Sequence, residues 1–285
     1  MEVFQTQALI LKTTVYRDKD IIVHFLTDKY GKKNGIFYGA RSLRSAFRGM
    51  SEPFSQLGIE FAEKEHAEMI TVRSADMQES HVHLRKNYHY FLLASYFTEL
   101  MHIAIIPDPE SEAYFLLLKN ALQNLPSKQG ITVKKLEFEL KLLHLLGVFP
   151  QLESCVICTK PIKQHKGKKP VLNQNLQYLM DVVQGGIRCQ ECFGRDSKLI
   201  PLNPGSLMFL NRWHETLRHS KDPSIVPPDR TSSKSTLSYR HPSSSIFPVY
   251  RRHMPCSKKV LKPIIEIRAL FNIDKKNDRL LLMNL

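Results

Sequence analysis

Two cysteine pairs, Cys155-Val156-Ile157-Cys158 and Cys189-Gln190-Glu191-Cys192, lie thirty residues apart. Each CxxC turn offers two thiolates from one tight knuckle, and two such knuckles complete the tetrahedral soft-ligand set that zinc prefers. The pairing therefore predicts one structural zinc ion held by Cys155, Cys158, Cys189 and Cys192. Four protein ligands leave no open position, so the site is expected to hold structure and not to catalyse. A redox CxxC would need a βαβ frame that is missing here. The basic surroundings, Lys160 to Lys169 and Arg188, are expected to ease the charge of four thiolates. Cys256 has no partner at CxxC spacing and reads as an ordinary thiol.

The second chemistry-bearing stretch is basic. From Lys29 to Met50 the chain carries six cations (Lys29, Lys32, Lys33, Arg41, Arg44, Arg48) and no acid. The arginines recur every three or four residues in a Gly-bounded segment, with Phe37, Tyr38 and Phe47 close by. Cations that track phosphates beside aromatic faces for bases are how small barrels grip single strands, and guanidinium groups fork onto phosphate oxygens. These nine residues are the candidate nucleic-acid contacts. The competing reading is a surface loop whose aromatics belong to the barrel core. Two further acid-free blocks, Lys160 to Lys169 and Arg230 to Lys262, contribute to a formal net charge of +14. Such an excess favours polyanionic partners, because each phosphate neutralised releases counterions.

Catalytic constellations are not found. His81, His83, His89 and His102 lack an H-E-x-x-H or facial-triad spacing and read as surface or core histidines. Glu63, Glu65 and Glu68 read as an acidic strand edge. Tyr88, Tyr90, Phe91, Tyr96 and Phe97 read as helical core. No Walker loop, nucleophile elbow or dinucleotide fingerprint occurs, and the chain is expected not to be an enzyme.

These side chains need elements to position them. Residues 3 to about 75 contain some five short β-rich runs, including Thr6 to Thr13, Asp20 to Thr27, Ile36 to Tyr38, Phe54 to Phe61 and Glu68 to Ser74, with Tyr30 to Gly35 expected as a hairpin turn. That pattern suits a small barrel such as an OB-fold, and an SH3-like barrel almost as well. From Leu84 to Ile105 the residues read as one buried helix. A second helix should start at Asp108-Pro109-Glu110 and run to about Leu125. A third, capped by Thr132, should end at Gly147, and a fourth should begin at Pro204-Gly205-Ser206. Residues 221–248, rich in Ser, Pro and Thr, are expected to form a flexible loop, followed by a last helix from about Lys258 to Phe271. No stretch nears the roughly 18 apolar residues of a membrane span, and the N-terminus lacks signal-peptide character. A cytoplasmic protein with no membrane partner is expected.

Four stretches resemble the bacterial recombination mediator family RecO. They are Thr27 to Gly31 with Tyr38 to Ser42 and Pro53 to Ser55; Phe138 to Leu143 running through Gly147 and Pro150 to Cys155; Gly185 to Cys192; and Ser257 to Leu261. The resemblance implies an α+β chain with a five-stranded OB-fold over 1–80, a helical domain over 81–150 and 200–285, and a zinc-ribbon-like element inserted at 151–199. It implies a monomer, associated with the nucleoid, that binds single- and double-stranded DNA without ATP and anneals complementary strands. It also implies work with RecR to load recombinase, and docking of the acidic C-terminal tail of single-stranded DNA-binding protein on the helical domain, for which Lys134, Lys135 and Lys141 are the candidates. DNA contact is carried over to Arg41, Arg44 and Arg48. The alternative is a zinc-ribbon and OB-fold factor that binds RNA or serves transcription. The stretch 221–248 is longer and richer in Ser and Pro than the family pattern.

Overall fold

The computed structural model describes residues 2–63, 69–105, 112–125, 130–162, 178–181, 183–192, 199–202, 204–220 and 222. The expected loop over 221–248 apart from Asp222, the last helix, Cys256, the Arg230 to Lys262 block and most of the Lys160 to Lys169 block fall outside these residues. So do the expected cap at Asp108 to Glu110 and the acids Glu65 and Glu68.

Five strands close a barrel: β1 (Val3–Tyr16), β2 (Asp20–Thr27), β3 (Lys32–Phe37), β4 (Gln56–Ala62) and β5 (Ile70–Glu79). Their order around the barrel is β1-β2-β3-β5-β4, with β3 and β5 parallel and β4 paired back onto β1. This is the circuit of an OB-fold, and it resolves the choice that strand spacing left open. The long β1 serves two neighbours, β4 through Val3 to Leu9 and β2 through Ala8 to Tyr16, and a register shift between Ile10 and Lys12 bends it around the barrel. Ala8, Ile10, Val23, Phe25, Leu57, Ile59, Phe61, Ile70 and Val72 fill the interior.

The hairpin turn is shorter than expected. It occupies Asp28 to Gly31, where Thr27 donates both N–H and Oγ1–H to the Gly31 carbonyl at 2.9 and 2.7 Å. Lys32 to Gly35 are already strand. Gly35 is required there by packing: a Cβ would lie 2.9 Å from the Phe25 ring and 3.1 Å from Ile70 and Val72. A glycine that reads as a turn signal is in fact a close-approach position in the core.

Helices follow the barrel. The stretch expected as one helix is two, α1 (Val82–Lys86) and α2 (Tyr88–Ala104). Asn87 separates them in an extended conformation, and its side chain accepts from the His89 and Tyr90 N–H groups, so it caps α2. α3 spans Glu112–Gln123 and α4 spans Ile131–Leu145, with Gly147 at φ 68° just beyond. Phe97 of α2 stacks on Phe138 of α4 with centroids 4.0 Å apart. The barrel and these four helices belong to one compact unit, Met1–Leu145. A second unit runs through Leu146–Ser220. It holds a three-stranded antiparallel sheet in the order β7 (Gly186–Arg188), β6 (Tyr178–Asp181), β8 (Leu199–Leu202), followed by α5 (Pro204–Arg218). Among the described residues no helix is long and apolar enough to cross a membrane.

Candidate metal centre and nucleic-acid interface

The two CxxC knuckles converge. The sulfurs of Cys155, Cys158, Cys189 and Cys192 all lie within 4.8 Å of one another, and Cys158 and Cys189 approach to 3.5 Å. Tetrahedral zinc with bonds of about 2.3 Å sets its sulfurs roughly 3.8 Å apart, so the cluster has the size such an ion needs. All four cysteines are free. Local chain geometry builds this. Gln151 pairs with Gly186, the Ile187 N–H donates to the Gln151 carbonyl at 3.0 Å, and the Val156 N–H donates to the Ile187 carbonyl at 3.0 Å. The first knuckle is thereby bound to the strand that leads into the second. Only glycine fits at 186, since a Cβ would sit 2.5 Å from Val156 and 2.6 Å from the Gln151 carbonyl oxygen.

Electrostatics favour a cation there. Burial raises the Cys155 thiol, but backbone N–H groups of the two knuckles outweigh it and bring it from 9.0 down to about 6. The Cys189 and Ile157 N–H groups point at its sulfur at 3.3 and 3.5 Å. Cys192, crowded by the sulfurs of Cys158 and Cys189, is pushed up to about 12. Four sulfurs this close cannot all ionise unaided, and a metal ion held by them would supply the missing positive charge. Lys160 assists from the rim. Its pKa is raised first by Glu191, which bridges it to the second knuckle, and also by the proximity of Cys158 and Cys189. The expected help from Arg188 needs correction. Its guanidinium is engaged by the buried Asp181, at 2.5 and 2.7 Å. Asp181 also accepts from the Val183 and Gln184 N–H groups at 2.9 Å each, so the pair fixes the β6–β7 turn.

On the barrel, residues Gly39 to Met50 form a chain of short turns: Ser42 N–H to Gly39 at 2.9 Å, Ser45 to Ser42 at 3.1 Å, Arg48 to Ser45 at 3.3 Å and Met50 to Phe47 at 3.0 Å. That winding leaves Arg41, Arg44 and Arg48 exposed. Lys29 is exposed in the turn before β3, and Tyr38 is 52% exposed. The remaining four of the nine candidates are placed differently. Phe37 and Phe47 are core residues, stacked with centroids 4.6 Å apart and planes 6° apart, and have no face for a base. The barrel needs apolar fill at that end, and the arginine segment is pinned by it. Lys32 Nζ donates to the His102 carbonyl on α2. Lys33 Nζ pairs with Glu63 at 2.8 Å.

Sequence reasoning missed neighbours of this loop. The Arg41 N–H donates to the Lys19 carbonyl at 3.0 Å, Arg41 Nη1 donates to the Asp18 carbonyl at 3.1 Å, and Asp20 accepts from the Gly39 N–H at 2.8 Å. The β1–β2 turn, with exposed Arg17 and Lys19, is therefore part of the same surface. Asp18 and Asp20 mask it in any charge window along the chain, although Asp20 is committed to the loop backbone. Leu43, between the arginines, is 81% exposed.

In the helical part of the first unit, Phe97, Leu117, Ala121 and Phe138 line a groove with Lys134 and Lys141 at its edge. Both lysines pair with Glu137, at 3.3 and 2.8 Å. Burial raises the Glu137 carboxyl, but Lys141 and Lys134 together bring it below its ordinary value. Lys135 lies over the Tyr96 ring, 4.8 Å from its centroid. Of the four histidines, His81 is buried and bonded to the Phe54 carbonyl at 3.1 Å, His83 and His89 are exposed, and His102 packs edge-on to His24 at 4.8 Å. No metal-binding group other than the four cysteines occurs among the described residues.

Comparison with known proteins covers both units. Residues 1–81 match the family model for the recombination protein O N terminal region, and residues 85–221 match that for its C terminal region. The chain is 31% identical to the DNA repair protein RecO of Syntrophus aciditrophicus, over 74% of this chain and 80% of that protein. It is 27% identical to the RecO protein of Moorella thermoacetica, over 68% of each chain. It is also 27% identical to that of a Thermoanaerobacter species, over 79% of this chain and 87% of the relative.

Proposed function

The chain belongs to the recombination protein O family, and from that premise we propose that it binds DNA through the basic face of its barrel and anneals strands during DNA repair. The observation that carries the reading is the arginine loop: three exposed arginines on a hydrogen-bonded series of turns, anchored by Phe47 in the core. Lys29, Tyr38, Arg41, Arg44 and Arg48 form the DNA-contacting set, joined by Arg17 and Lys19. Lys32 and Lys33 contribute field, while Phe37 and Phe47 support the loop from within. Cationic side chains on one face offset repulsion between two strands, and base pairing then supplies the favourable free energy of annealing. The contacts are to backbone phosphates, so both single and double strands are bound. No covalent step is required of the protein, which acts without enzymatic chemistry.

Zinc is the ion proposed for the four cysteines. It would cross-link the two knuckles and hold the Leu146–Ser220 unit together. The groove lined by Phe97, Leu117 and Phe138 is the proposed seat of the acidic tail of single-stranded DNA-binding protein. Its apolar floor suits hydrophobic terminal residues, and Lys134 and Lys141 at the edge suit carboxylates. Cooperation with RecR in loading recombinase, a monomeric state and a cytoplasmic, nucleoid-associated location complete the proposal.

The test is annealing of complementary strands coated with single-stranded DNA-binding protein. Annealing by the full chain, and its loss when Arg41, Arg44 and Arg48 are all changed to Ala, is the expected result. A protein that prefers matched RNA over DNA and leaves coated strands apart would refute it.

A further inference from the structure

The corner between α1 and α2 has a surface that neither the metal centre nor the arginine loop uses. Tyr88 opens α2 and is 67% exposed, and Val82 and Phe91, near it in the chain, are 45% and 38% exposed. The sequence assigned Tyr88 and Phe91 to the helical core, but only Phe97 of that aromatic group is fully buried. His83, Arg85, Lys86 and His89 flank the exposed rings along the chain, with no Asp or Glu between Ser80 and Thr98, and the His89 ring lies against Tyr88. The nearest acid along the chain, Glu79, turns a carboxylate oxygen toward the His81 N–H at 3.4 Å. Lys86 makes no ion pair among the described residues. A large exposed aromatic flanked by cations and free of acids matches a strand that presents bases and phosphates together.

This corner is joined to the end of the arginine loop. Arg85 Nη1 donates to the Pro53 carbonyl at 2.9 Å, His81 Nδ1 bonds the Phe54 carbonyl at 3.1 Å, and the Phe54 and Phe91 rings meet edge to face at 5.6 Å. Phe54, with φ 69° and 2% exposure, is the buried pivot of this junction. The chain that winds through Arg41, Arg44 and Arg48 is thus fastened, a few residues later, to the corner that carries Arg85, Lys86 and Tyr88.

We propose that the α1–α2 corner is a second contact for the nucleic-acid strand held by the arginine loop, with a base stacked on Tyr88 and a phosphate held by Lys86 and Arg85. Arg85 can serve both roles, because its guanidinium has five N–H donors and Pro53 occupies one. The corner extends the footprint of the barrel onto the first helices, so that long strands gain what short ones cannot. The inference rests on the nucleic-acid reading of the loop, and the experiment separates the two.

Binding of the full chain is measured by fluorescence anisotropy with single-stranded oligonucleotides of about 8 and about 30 nucleotides, lengths that bracket one barrel's site. Tyr88→Ala is expected to weaken binding of the long strand roughly tenfold, with an unchanged dependence on salt and little effect on the short strand. Tyr88→Phe, which keeps the ring, should restore affinity. Lys86→Ala should reduce the slope of log affinity against log salt by about 0.7, the share of one phosphate contact on a single strand. Tyr88 is exposed, and an unaltered melting temperature verifies that its variants fold. If Tyr88→Ala and Lys86→Ala bind both lengths like the unmodified chain, while the triple arginine variant loses binding, the corner is not a contact and the loop remains one. If the unmodified chain binds neither strand, the reading of the loop falls and the corner falls with it.

Discussion

Phe47 reaches from the arginine segment into the end of the barrel, where it stacks on Phe37. That contact is the reason the segment has one shape. Changing Phe47 to Ala should lower stability by about 3 kcal/mol, a typical cost for removing a buried ring, measured as a fall in the denaturant midpoint. DNA affinity should fall as well, although no charge is lost, because the arginines are no longer held together. A variant as stable as the unmodified chain would remove Phe47 from the core. The cysteines allow an equally local test. The intact protein is expected to carry about one zinc ion per chain, and Cys158→Ser should lose it. Limited proteolysis should then cut within 146–220 while the barrel persists. Metal analysis that finds no ion in a fully stable chain would rule the site out.

The junction of α2 with the barrel carries a pH dependence of its own. His102 lies against His24 of β2, with Lys32 of β3 bonded to its carbonyl. Burial, then the charges of Lys32, His24 and Lys12, brings its pKa from 6.5 to about 4. His81, at the start of α1, is lowered too, first by burial. A histidine whose folded pKa lies below its unfolded value binds fewer protons when folded. Stability therefore rises with pH across the interval between the two values. The melting temperature should drop as pH falls from about 6.5 to about 4, and His102→Gln should flatten that drop. A melting temperature constant over this interval would contradict the packing described for His102.

These elements also mark what sequence alone could convey. The strands of the barrel were legible because runs such as Ile21 to Leu26 are β-rich and bounded by polar turns. The cysteine cluster was legible because a CxxC knuckle brings its ligands in local pairs. Gly35 misled because its reason for being glycine is the Phe25 ring across the barrel, a contact remote in the chain. The long helix was read through Asn87 because a lone asparagine with no Gly or Pro beside it is a weak local signal, and its capping role appears only with the backbone. Tyr88 and Phe91 were assigned inward with the other aromatics, because residue type alone does not reveal which side of a helix meets solvent. The roles of Phe37 and Phe47 were equally hidden, since an aromatic beside arginines has the same sequence appearance whether it faces a base or the core.

For the molecule as a whole, the formal charge of +14 makes any nucleic-acid affinity a function of salt. Several phosphate contacts each contribute about 0.7 to the slope on single strands. DNA binding should therefore weaken steeply between low and moderate salt, and the triple Arg41, Arg44, Arg48→Ala variant should show a shallower line. Affinity indifferent to salt would leave the basic surface without a role.

The barrel circuit has one short seam. β3 and β5 pair in parallel through only two positions, Gly35 with Ile70 and Ile36 with Thr71, whereas every other neighbouring pair spans six to eight. Cooperative opening begins where the fewest bonds must break, so the barrel should breathe there first. In deuterated solvent, amides along this join would trade their protons ahead of those in the β1–β2 ladder. A cylinder hinged in this way would flex its circumference without unravelling, and under the proposed DNA-binding function its girth would adjust to strands of differing stiffness.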